Sequence, residues 1–528
     1  MRKNITKTLC LMSVIFLLSS TNVVGAVDKN EASNGSEDLD PLVDLKVTVE
    51  IKKIRALDEI DFITKTDFIF PILDFLTNPD FYVKIFINEE EFTSPVWHST
   101  KYVEDAQWSA TLNVPDDRED VNIRIELWDW SLKGDRMCDI SKNDQMDPNS
   151  YDAELIYNLK TGHWSGRDDY IYPMQIIFDS SGYGRLNGCD DNTIYEKDMD
   201  CELWFDIYQN DADGDGIPYW MEVNEYSTDP EEDNTGMDED NDGVPIEWEF
   251  KWGVYHSPWG GYNIFYDPFT WEDHANADPD EDGLQNVEEY LTSQWGSDPF
   301  RKDIFLEIDQ MEIGPDGEGS VVPYLSKHML RDAFSRQNIV LHIDDGCMGG
   351  GEMIPFDLNT SGEELDEFYL DYFLHNNYSN WRKGIFHYGI ITYRSDRHPG
   401  FVFESDAFQI STKRHDEFHS TSDTWQKFLF DLMRRKTFNG DYQKAIVYAS
   451  GIMHELGHTL GIWSWNVPGC DSQLTVWTPN HFKWLKWINY RSCMNYGWTY
   501  ALVDYSDGSH GKNDFDDWSN LDLRLFQI

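Results

Sequence analysis

Basic residues are scarce in this sequence. Its 528 residues include 42 Lys and Arg against 97 Asp and Glu, which gives a formal net charge of -55. Direct binding to nucleic acid or to a bare anionic membrane surface is therefore unfavourable unless a cation lies between them. A hydrophobic content of 40% excludes a wholly disordered chain, and the length predicts about three domains. The acid either solvates the surface, as in a salt-rich environment, or binds cations.

Long hydrophobic runs are also few. One run extends from Leu9 to Leu18, follows Arg2, Lys3 and Lys7, and leads to small residues that end at Ala26. It is shorter than the roughly 20 residues that span a bilayer, and its layout is that of a secretory signal. We predict a signal peptide over 1–26 and a secreted or cell-surface location, with an uncleaved membrane anchor as the alternative.

Cysteines are few but even in number once Cys10 leaves with the signal. An exported chain permits disulfide bonds, and cysteines close in sequence are the first candidates. We predict the pairs Cys189/Cys201 and Cys470/Cys493.

The pattern of the chain changes twice. After a polar linker over 27–43, alternating segments such as Val47 to Ile51 predict an antiparallel β-sandwich over 44–185. Residues 186–300 are dense in Asp, Glu, Gly and Trp. Residues 301–528 mix strands with longer helices, which predicts an α+β or α/β domain and makes the whole chain multidomain.

Many of the acidic residues in the middle region recur at a fixed spacing. Three segments read Asp-x-Asp-x-Asp-Gly, and each has Glu at its twelfth position. Carboxylates at positions 1, 3 and 5, Gly at 6 and a bidentate Glu at 12 form the oxygen shell of a calcium loop, whereas a solvated acidic tract has no reason to keep this spacing. The predicted calcium ligands are Asp211, Asp213, Asp215 and Glu222 in the first loop, Asp238, Asp240, Asp242 and Glu249 in the second, and Asp278, Asp280, Asp282 and Glu289 in the third.

These segments resemble the calcium loops of EF-hands, dockerins and thrombospondin type 3 repeats. Pro218 and Pro245 occupy position 8, where a regular EF-hand uses a backbone N–H that proline lacks. The resemblance therefore favours the thrombospondin-like or dockerin-like kind, in which calcium has a structural role.

A second set of aspartates lies in the predicted sandwich. Asp74, Asp80, Asp129, Asp135 and Asp139 resemble the calcium-binding loops of C2-like domains, although the second loop is longer than usual. The resemblance implies calcium-mediated contact with a surface or lipid. Ordinary turn aspartates at strand ends are the alternative.

The segment from Gly451 to Gly461 contains the candidate zinc ligands and the candidate catalytic base. His454 and His458 are four residues apart, so a helix places both imidazoles on one face, where they can bind one zinc ion. Glu455 is placed to take a proton from a water activated by the metal. The sequence contains neither a Gly-x-Ser-x-Gly elbow nor a phosphate loop.

Over about 445–500 the chain resembles the metzincin zinc peptidases. The resemblance implies that Gly461 turns the chain after the helix and that Met494 forms a turn beneath the metal. It also implies that Tyr496 reaches the metal or the oxyanion. The family places its third ligand six residues after His458, but this position is Ser464, a poor zinc ligand. Asp471 is the favoured replacement and His481 the second candidate.

Together these features predict a secreted, calcium-stabilised zinc endopeptidase that cleaves protein or peptide substrates with a zinc-activated water. Zn²⁺ and Ca²⁺ are the expected cofactors. The alternative is a non-catalytic, calcium-dependent surface or adhesion protein with a vestigial protease domain.

Overall fold

Two antiparallel sheets form a β-sandwich in the amino-terminal part of the chain. The computed structural model describes residues 38–57, 78–131, 134–141, 151–166, 182–189, 199–256, 261–395, 399–420, 440–471 and 485–525. The predicted signal peptide lies outside these residues. The strands are β1 (Lys46–Ala56), β2 (Phe81–Ile87), β3 (Glu90–Thr93), β4 (Tyr102–Val103), β5 (Trp108–Asn113), β6 (Asp120–Asp129), β7 (Arg136–Cys138), β8 (Ala153–Asn158), β9 (His163–Gly166), β10 (Arg185–Asn187) and β11 (Cys201–Gln209).

The sheets have the orders β10-β11-β1-β4, with β5 also on β1, and β3-β2-β6-β8-β9, with β7 on β6. Alternate residues such as Val49 of β1, Ile85 of β2 and Ile125 of β6 point into one shared core and are fully or almost fully buried. The period-2 pattern seen in the sequence therefore fills the space between the two sheets.

The sandwich extends beyond its predicted end at residue 185. Strand β11 pairs with β1 along its whole length, from Val47 opposite Gln209 to Ala56 opposite Cys201. Its inward residues Leu203, Phe205 and Ile207 are buried in the sandwich core. The prediction placed this strand in the acidic region because an Asp-rich stretch precedes it.

Short helices dominate the acidic region. They are α1 (Tyr219–Met221), which continues as a π-helical turn (Glu222–Tyr226), α2 (Ile246–Gly253) and α3 (Asn286–Thr292), followed by a 3-10 turn (Ser293–Trp295). Strands β12 (Val254–His256) and β13 (Tyr262–Ile264) form a hairpin. Aromatic side chains, among them Trp248, Trp252 and Tyr266, pack into small cores between these elements. Each of these α-helices begins immediately after position 8 of a predicted calcium loop.

A mixed sheet organises the carboxy-terminal part. Its elements are β14 (Asp303–Met311), α4 (Tyr324–Ser335), β15 (Val340–Asp344), β16 (Met353–Ile354), α5 (Gly362–Phe368), a π-helical turn (Tyr369–Phe373), β17 (Phe386–Thr392), β18 (Gly400–Glu404), β19 (Ala407–Ser411), α6 (Thr412–Ser420), α7 (Gly440–Thr459) and two 3-10 turns (Leu485–Trp487 and Trp518–Asn520). The order is β15-β14-β17-β19-β18, with β16 on β14. Only β18, the edge strand beside β19, runs antiparallel to its neighbour among these described strands. Helix α7 packs against β17, β18 and β19 and against α4.

The predicted disulfide bonds are absent. No disulfide bond joins the six described cysteines. Cys470 and Cys493 are instead buried in the same apolar core as Leu456 and Met494. Cys189 and Cys201 are fully buried too. A cysteine in such surroundings packs as a small hydrophobic side chain. Within the described part of the chain, no helix has the length and apolar character needed to cross a membrane.

A buried ion-pair network joins the sandwich to α4. The Arg55 guanidinium of β1 lies 3.0 Å from Asp332 Oδ1 of α4 and 3.4 Å from Glu202 Oε2 of β11. Arg185 donates a hydrogen bond of 2.5 Å from Nε to Glu202 Oε1. The sandwich and the carboxy-terminal sheet are parts of one compact unit, Leu39–Ile528.

We expect Arg55→Ala to destabilise the protein strongly. Removal of one partner from a buried ion pair leaves the other charge uncompensated and costs about 3–5 kcal/mol. The matched control is Lys52→Ala on the same strand, because Lys52 pairs with Asp206 in solvent and such pairs contribute about 0–1 kcal/mol. Urea denaturation followed by tryptophan fluorescence measures both. Equal midpoints for the two variants would contradict a role for this network in stability.

Candidate metal centre

Helix α7 positions the two predicted histidine ligands. All its residues from Ala445 to Thr459 are buried, because the helix packs into the core between the sheet and the carboxy-terminal segment. It ends in a Schellman motif: Ile462 N donates to Gly457 O and Gly461 N donates to His458 O. Gly461 has φ +92°, a left-handed conformation that favours glycine at this cap. The chain turns there, as predicted.

Both imidazoles are oriented by backbone carbonyl groups. His454 Nδ1 lies 2.9 Å from Cys493 O, and His458 Nδ1 lies 2.7 Å from Ile462 O. A carbonyl oxygen only accepts, so each Nδ1 carries the proton and each Nε2 keeps a free lone pair. This arrangement is typical of histidines that bind a metal through Nε2.

The structure brings Asp471 to the two histidines. Its Oδ1 lies 3.4 Å from His454 Nε2 and 3.6 Å from His458 Nε2. Ligand atoms about 2.0–2.1 Å from a tetrahedral zinc ion are roughly 3.3–3.4 Å apart. The backbone N–H of Asp471 donates to Met494 O, which fixes this loop against the Met494 turn. The donor set and its spacing therefore fit zinc.

The charges of the three side chains are coupled. Burial raises the pKa of Asp471, but its contacts with His454 and His458 outweigh burial and hold that pKa well below its usual value. Burial lowers the pKa of His454, whereas the Asp471 and Glu455 carboxylates raise it by more. A carboxylate thus faces two imidazoles in a space that a divalent cation can fill.

Glu455 and Tyr496 lie beside this cluster. The Glu455 carboxylate lies against β18, since a Cβ added at Gly400 would be 2.5 Å from Glu455 Oε1. Tyr496 stacks on His454 with ring centroids 5.3 Å apart. Burial, with a smaller contribution from Asp471, raises the pKa of Tyr496, so its hydroxyl stays protonated.

The other sequence positions relevant to the zinc site are Met494, Ser464 and His481. Met494 is fully buried below the helix, and a Cβ at Gly457 would be 2.5 Å from its Sδ. Ser464 is exposed and is not part of the cluster of His454, His458 and Asp471. His481 falls outside the described residues.

The sequence reasoning missed two residues at this centre. Gly400 has no side chain, and a larger residue there would clash with the Glu455 carboxylate. Trp463 stacks on His458 with centroids 4.4 Å apart and on Trp465, which is 75% exposed. The position of Trp463 directly after the helix turn was the only available signal.

The three acidic loops share one backbone geometry. Position 4, which is Gly214, Asn241 or Glu281, has a positive φ in every loop. The glycine at position 6 also has a positive φ and donates its N–H to the carboxylate at position 1. The carboxylates at positions 1, 3, 5 and 12 are thus gathered by the loop itself, as a calcium site requires.

Several of these carboxylates are buried beside other carboxylates. Both carboxylate oxygens of Glu289 are buried and make no hydrogen bond. Burial and the neighbouring acids raise the pKa of Glu222 to about 8 and that of Glu249 to about 9. Carboxylates in such positions are stabilised by a bound cation, so the loops could hold metal ions.

The structure brings only some of the predicted sandwich aspartates close to one another. Asp80 N donates to Asp129 Oδ1, so these two residues lie side by side. Arg136 Nη2 donates to Asp129 Oδ2, and Tyr82 Oη donates to Asp135 Oδ2. Asp139 lies beside Asp200 through a backbone bridge. Asp74 falls outside the described residues. Ser99 N donates to Asp80 Oδ1, and Ser141 N donates to Asp139 Oδ1. Protein groups thus already engage all four of the described aspartates.

Comparisons with known proteins give structural similarities alone. No protein-family model and no curated protein matches the chain. Similar solved structures include a C2 domain, at 10% identity over 31% of this chain and 97% of that chain, with a TM-score of 0.17. A C2 domain of plant extended synaptotagmin 1 is 14% identical over 30% of this chain and 93% of that chain, with a TM-score of 0.17.

Human GIVD cytosolic phospholipase A2, in complex with methyl gamma-linolenyl fluorophosphonate and terbium chloride, is 10% identical over 31% of this chain, with a TM-score of 0.17. The match spans 17% of the length of that protein. C2 domains are therefore among the structures to which this chain is similar. The description of the sandwich itself rests on its strand pairing.

Proposed function

We propose that the chain is a secreted, calcium-stabilised, zinc-dependent endopeptidase of metzincin-like type. The convergence of His454, His458 and Asp471, with Glu455 beside them, carries the proposal. Two imidazoles and one carboxylate leave one position of a tetrahedral zinc ion open, which is the ligand set of a catalytic rather than a structural site.

When bound, zinc would supply Lewis-acid polarisation of the scissile carbonyl and would lower the pKa of a water to about 7. The residues of the chain perform the remaining tasks. Glu455 takes the proton of the attacking water and delivers it to the leaving amine. The Tyr496 hydroxyl, whose pKa is raised by burial so that it stays protonated, donates a hydrogen bond to the developing oxyanion.

The edge strand β18 offers a place for an extended substrate. It pairs with β19 on one side and lies at the end of the described sheet order. Its first residue, Gly400, contacts the Glu455 carboxylate. A peptide added to this edge by backbone hydrogen bonds would pass directly in front of Glu455. An extended segment of a protein is therefore the substrate that this site fits.

Asp471→Ala tests the assignment of the third ligand. We expect the variant to lose zinc affinity by more than the roughly 10–100-fold that follows loss of an outer-shell partner, and to lose hydrolysis of casein. Hydrolysis by the wild type should stop with a chelator and return with zinc. Ser464→Ala is the control, because Ser464 is exposed. Metal content by mass spectrometry and the casein assay give the readouts, and unchanged zinc binding in Asp471→Ala would refute the site.

A specific observation also supports the surface-binding alternative. Trp130 directly follows Asp129 and is 40% exposed, and its backbone N–H donates to Asp80 O. An exposed Trp beside a calcium-ligand candidate is typical of a contact with a membrane interface. Such contact needs calcium here, because the chain itself is strongly acidic.

Vesicles of phosphatidylserine and phosphatidylcholine test this second candidate. We expect co-sedimentation of the wild type with calcium and none without it. Trp130→Ala should weaken the binding about 10- to 100-fold, because burial of an aromatic side chain contributes roughly 1.5–3 kcal/mol and each 1.4 kcal/mol is tenfold. Trp271→Ala, which removes another exposed tryptophan, is the control. Co-sedimentation that is independent of calcium would contradict the role of the aspartates.

A further inference from the structure

The second acidic loop differs from the other two in the later segment of the chain that hydrogen-bonds to its position-5 carboxylate. In every loop the carboxylate at position 5 accepts a hydrogen bond from a backbone N–H farther along the chain, from Asn234, Glu272 and Asp303 respectively. A histidine follows two residues later only after the second loop. The equivalent positions after the first and third loops are Gly236 and Phe305.

His274 points into the carboxylates of the second loop. The residue is 1% exposed. Its Nε2 is buried and makes no hydrogen bond. That atom lies 3.3 Å from Asp242 Oδ2 and 3.8 Å from Glu249 Oε1. Glu249 Oε1 and Glu272 Oε2 are likewise buried without a hydrogen bond. All four side chains place one ligand atom within 4.8 Å of the others.

This donor set differs from that of a calcium loop. Calcium takes oxygen ligands, whereas imidazole suits zinc and the other divalent transition metals. The 3.3 Å between His274 Nε2 and Asp242 Oδ2 equals the separation of about 3.3 Å between ligand atoms around tetrahedral zinc. Three carboxylates and one imidazole complete a four-ligand shell.

Asn286 completes the orientation of His274. Its side-chain amide lies 2.8 Å from His274 Nδ1 and 3.2 Å from Tyr266 Oη, and its Oδ1 is buried without a partner. An amide turned by 180° exchanges its oxygen and nitrogen at nearly the same atomic positions. The oxygen then accepts from both His274 Nδ1 and Tyr266 Oη, which leaves the His274 Nε2 lone pair for a metal.

We propose that Asp242, Glu249, Glu272 and His274 form a second transition-metal site, selective for an ion of the zinc class, so that the second loop does not bind calcium as the other two do. The site is separate from the centre on α7. Its role is structural, because four protein ligands leave no open position.

Zinc stoichiometry of the full chain tests the proposal. Protein loaded with zinc chloride in calcium buffer and then dialysed should carry one zinc ion fewer in His274→Gln than in the wild type. His256→Gln is the matched control, because His256 is a buried histidine of the same region that lies 3.9 Å from the exposed carboxylate of Asp120 and is not among the four residues of the cluster. His454→Ala should lose a different zinc ion, and its combination with His274→Gln should lose both.

Glu272→Gln is a second variant, because it keeps the size and shape of the side chain. We expect its zinc affinity at this site to fall by about 10-fold or more, with Glu239→Gln, an exposed acid of the same loop, unchanged. Calcium bound per chain checks the fold of each variant and should be unaffected.

Zinc stoichiometry equal to that of the wild type in both His274→Gln and Glu272→Gln would overturn the site. If His454→Ala lost no zinc while His274→Gln lost one ion, the catalytic proposal would fail and the second site would stand.

Discussion

Glu455→Gln is expected to keep the metal of the α7 centre and to abolish peptide cleavage. Glu455 lies beside the ligands without being one of them, and an amide cannot take up the proton of the attacking water. General acid–base catalysis contributes about 10²–10⁴-fold, so kcat should fall by that factor. Because the amide has the size of the carboxylate, it keeps the contact with Gly400, and the fold is expected to be unchanged.

The measurement combines zinc content with kcat on a peptide substrate. Glu417→Gln is the control, since Glu417 is exposed on α6 and pairs with Arg414 at the surface. Hydrolysis at the wild-type rate in Glu455→Gln would refute the catalytic role. Zinc loss in this variant would instead make Glu455 a ligand, which also contradicts the mechanism.

Removal of calcium is expected to lower the melting temperature by roughly 10–20 °C. A cation at a concentration of 100 times its Kd stabilises the folded state by about 2.7 kcal/mol per site. The first and third loops together therefore contribute about 5 kcal/mol, and each kcal/mol corresponds to about 2–4 °C in a domain of 150–250 residues. The physical cause is the burial of carboxylates beside other carboxylates, as for Glu289, whose two oxygens are buried without a hydrogen-bond partner.

Calorimetry with calcium and with a calcium chelator measures this difference. Glu289→Gln and Glu222→Gln should each remove part of the calcium-dependent shift, because each removes the bidentate ligand of one loop. Glu232→Gln changes an exposed acid between the loops and should leave the shift intact. A melting temperature that does not respond to calcium would contradict the structural role of these loops.

The sequence was sufficient for the features that depend on local spacing. The pattern of His454 and His458 requires only a helix, and the acidic loops require only their own twelve positions. Asp471 was the favoured third ligand among open alternatives, and the structure places it within 3.6 Å of both histidines. What remained open was the course of the chain between residues 461 and 471, because no local pattern determines a loop.

Features that depend on distant parts of the chain could not be predicted. The pairing of β11 with β1 joins residues far apart along the chain, such as Val47 and Gln209. The contact of Glu455 with Gly400 and the approach of His274 to Asp242 also join residues that are distant in the sequence. The disulfide prediction was wrong because proximity in sequence says nothing about where two sulfur atoms point once the core has packed.

The third acidic loop is attached to the sheet on which helix α7 packs. Asp303 N, at the first residue of β14, donates to Asp282 Oδ2, and Lys302 Nζ donates to Asp280 O. The ligands of this loop and the start of an internal strand of the sheet are thus ordered together. Under the proposed function, loss of calcium from this loop would also release the start of β14. Calcium would then couple the acidic region to the sheet that supports the α7 centre.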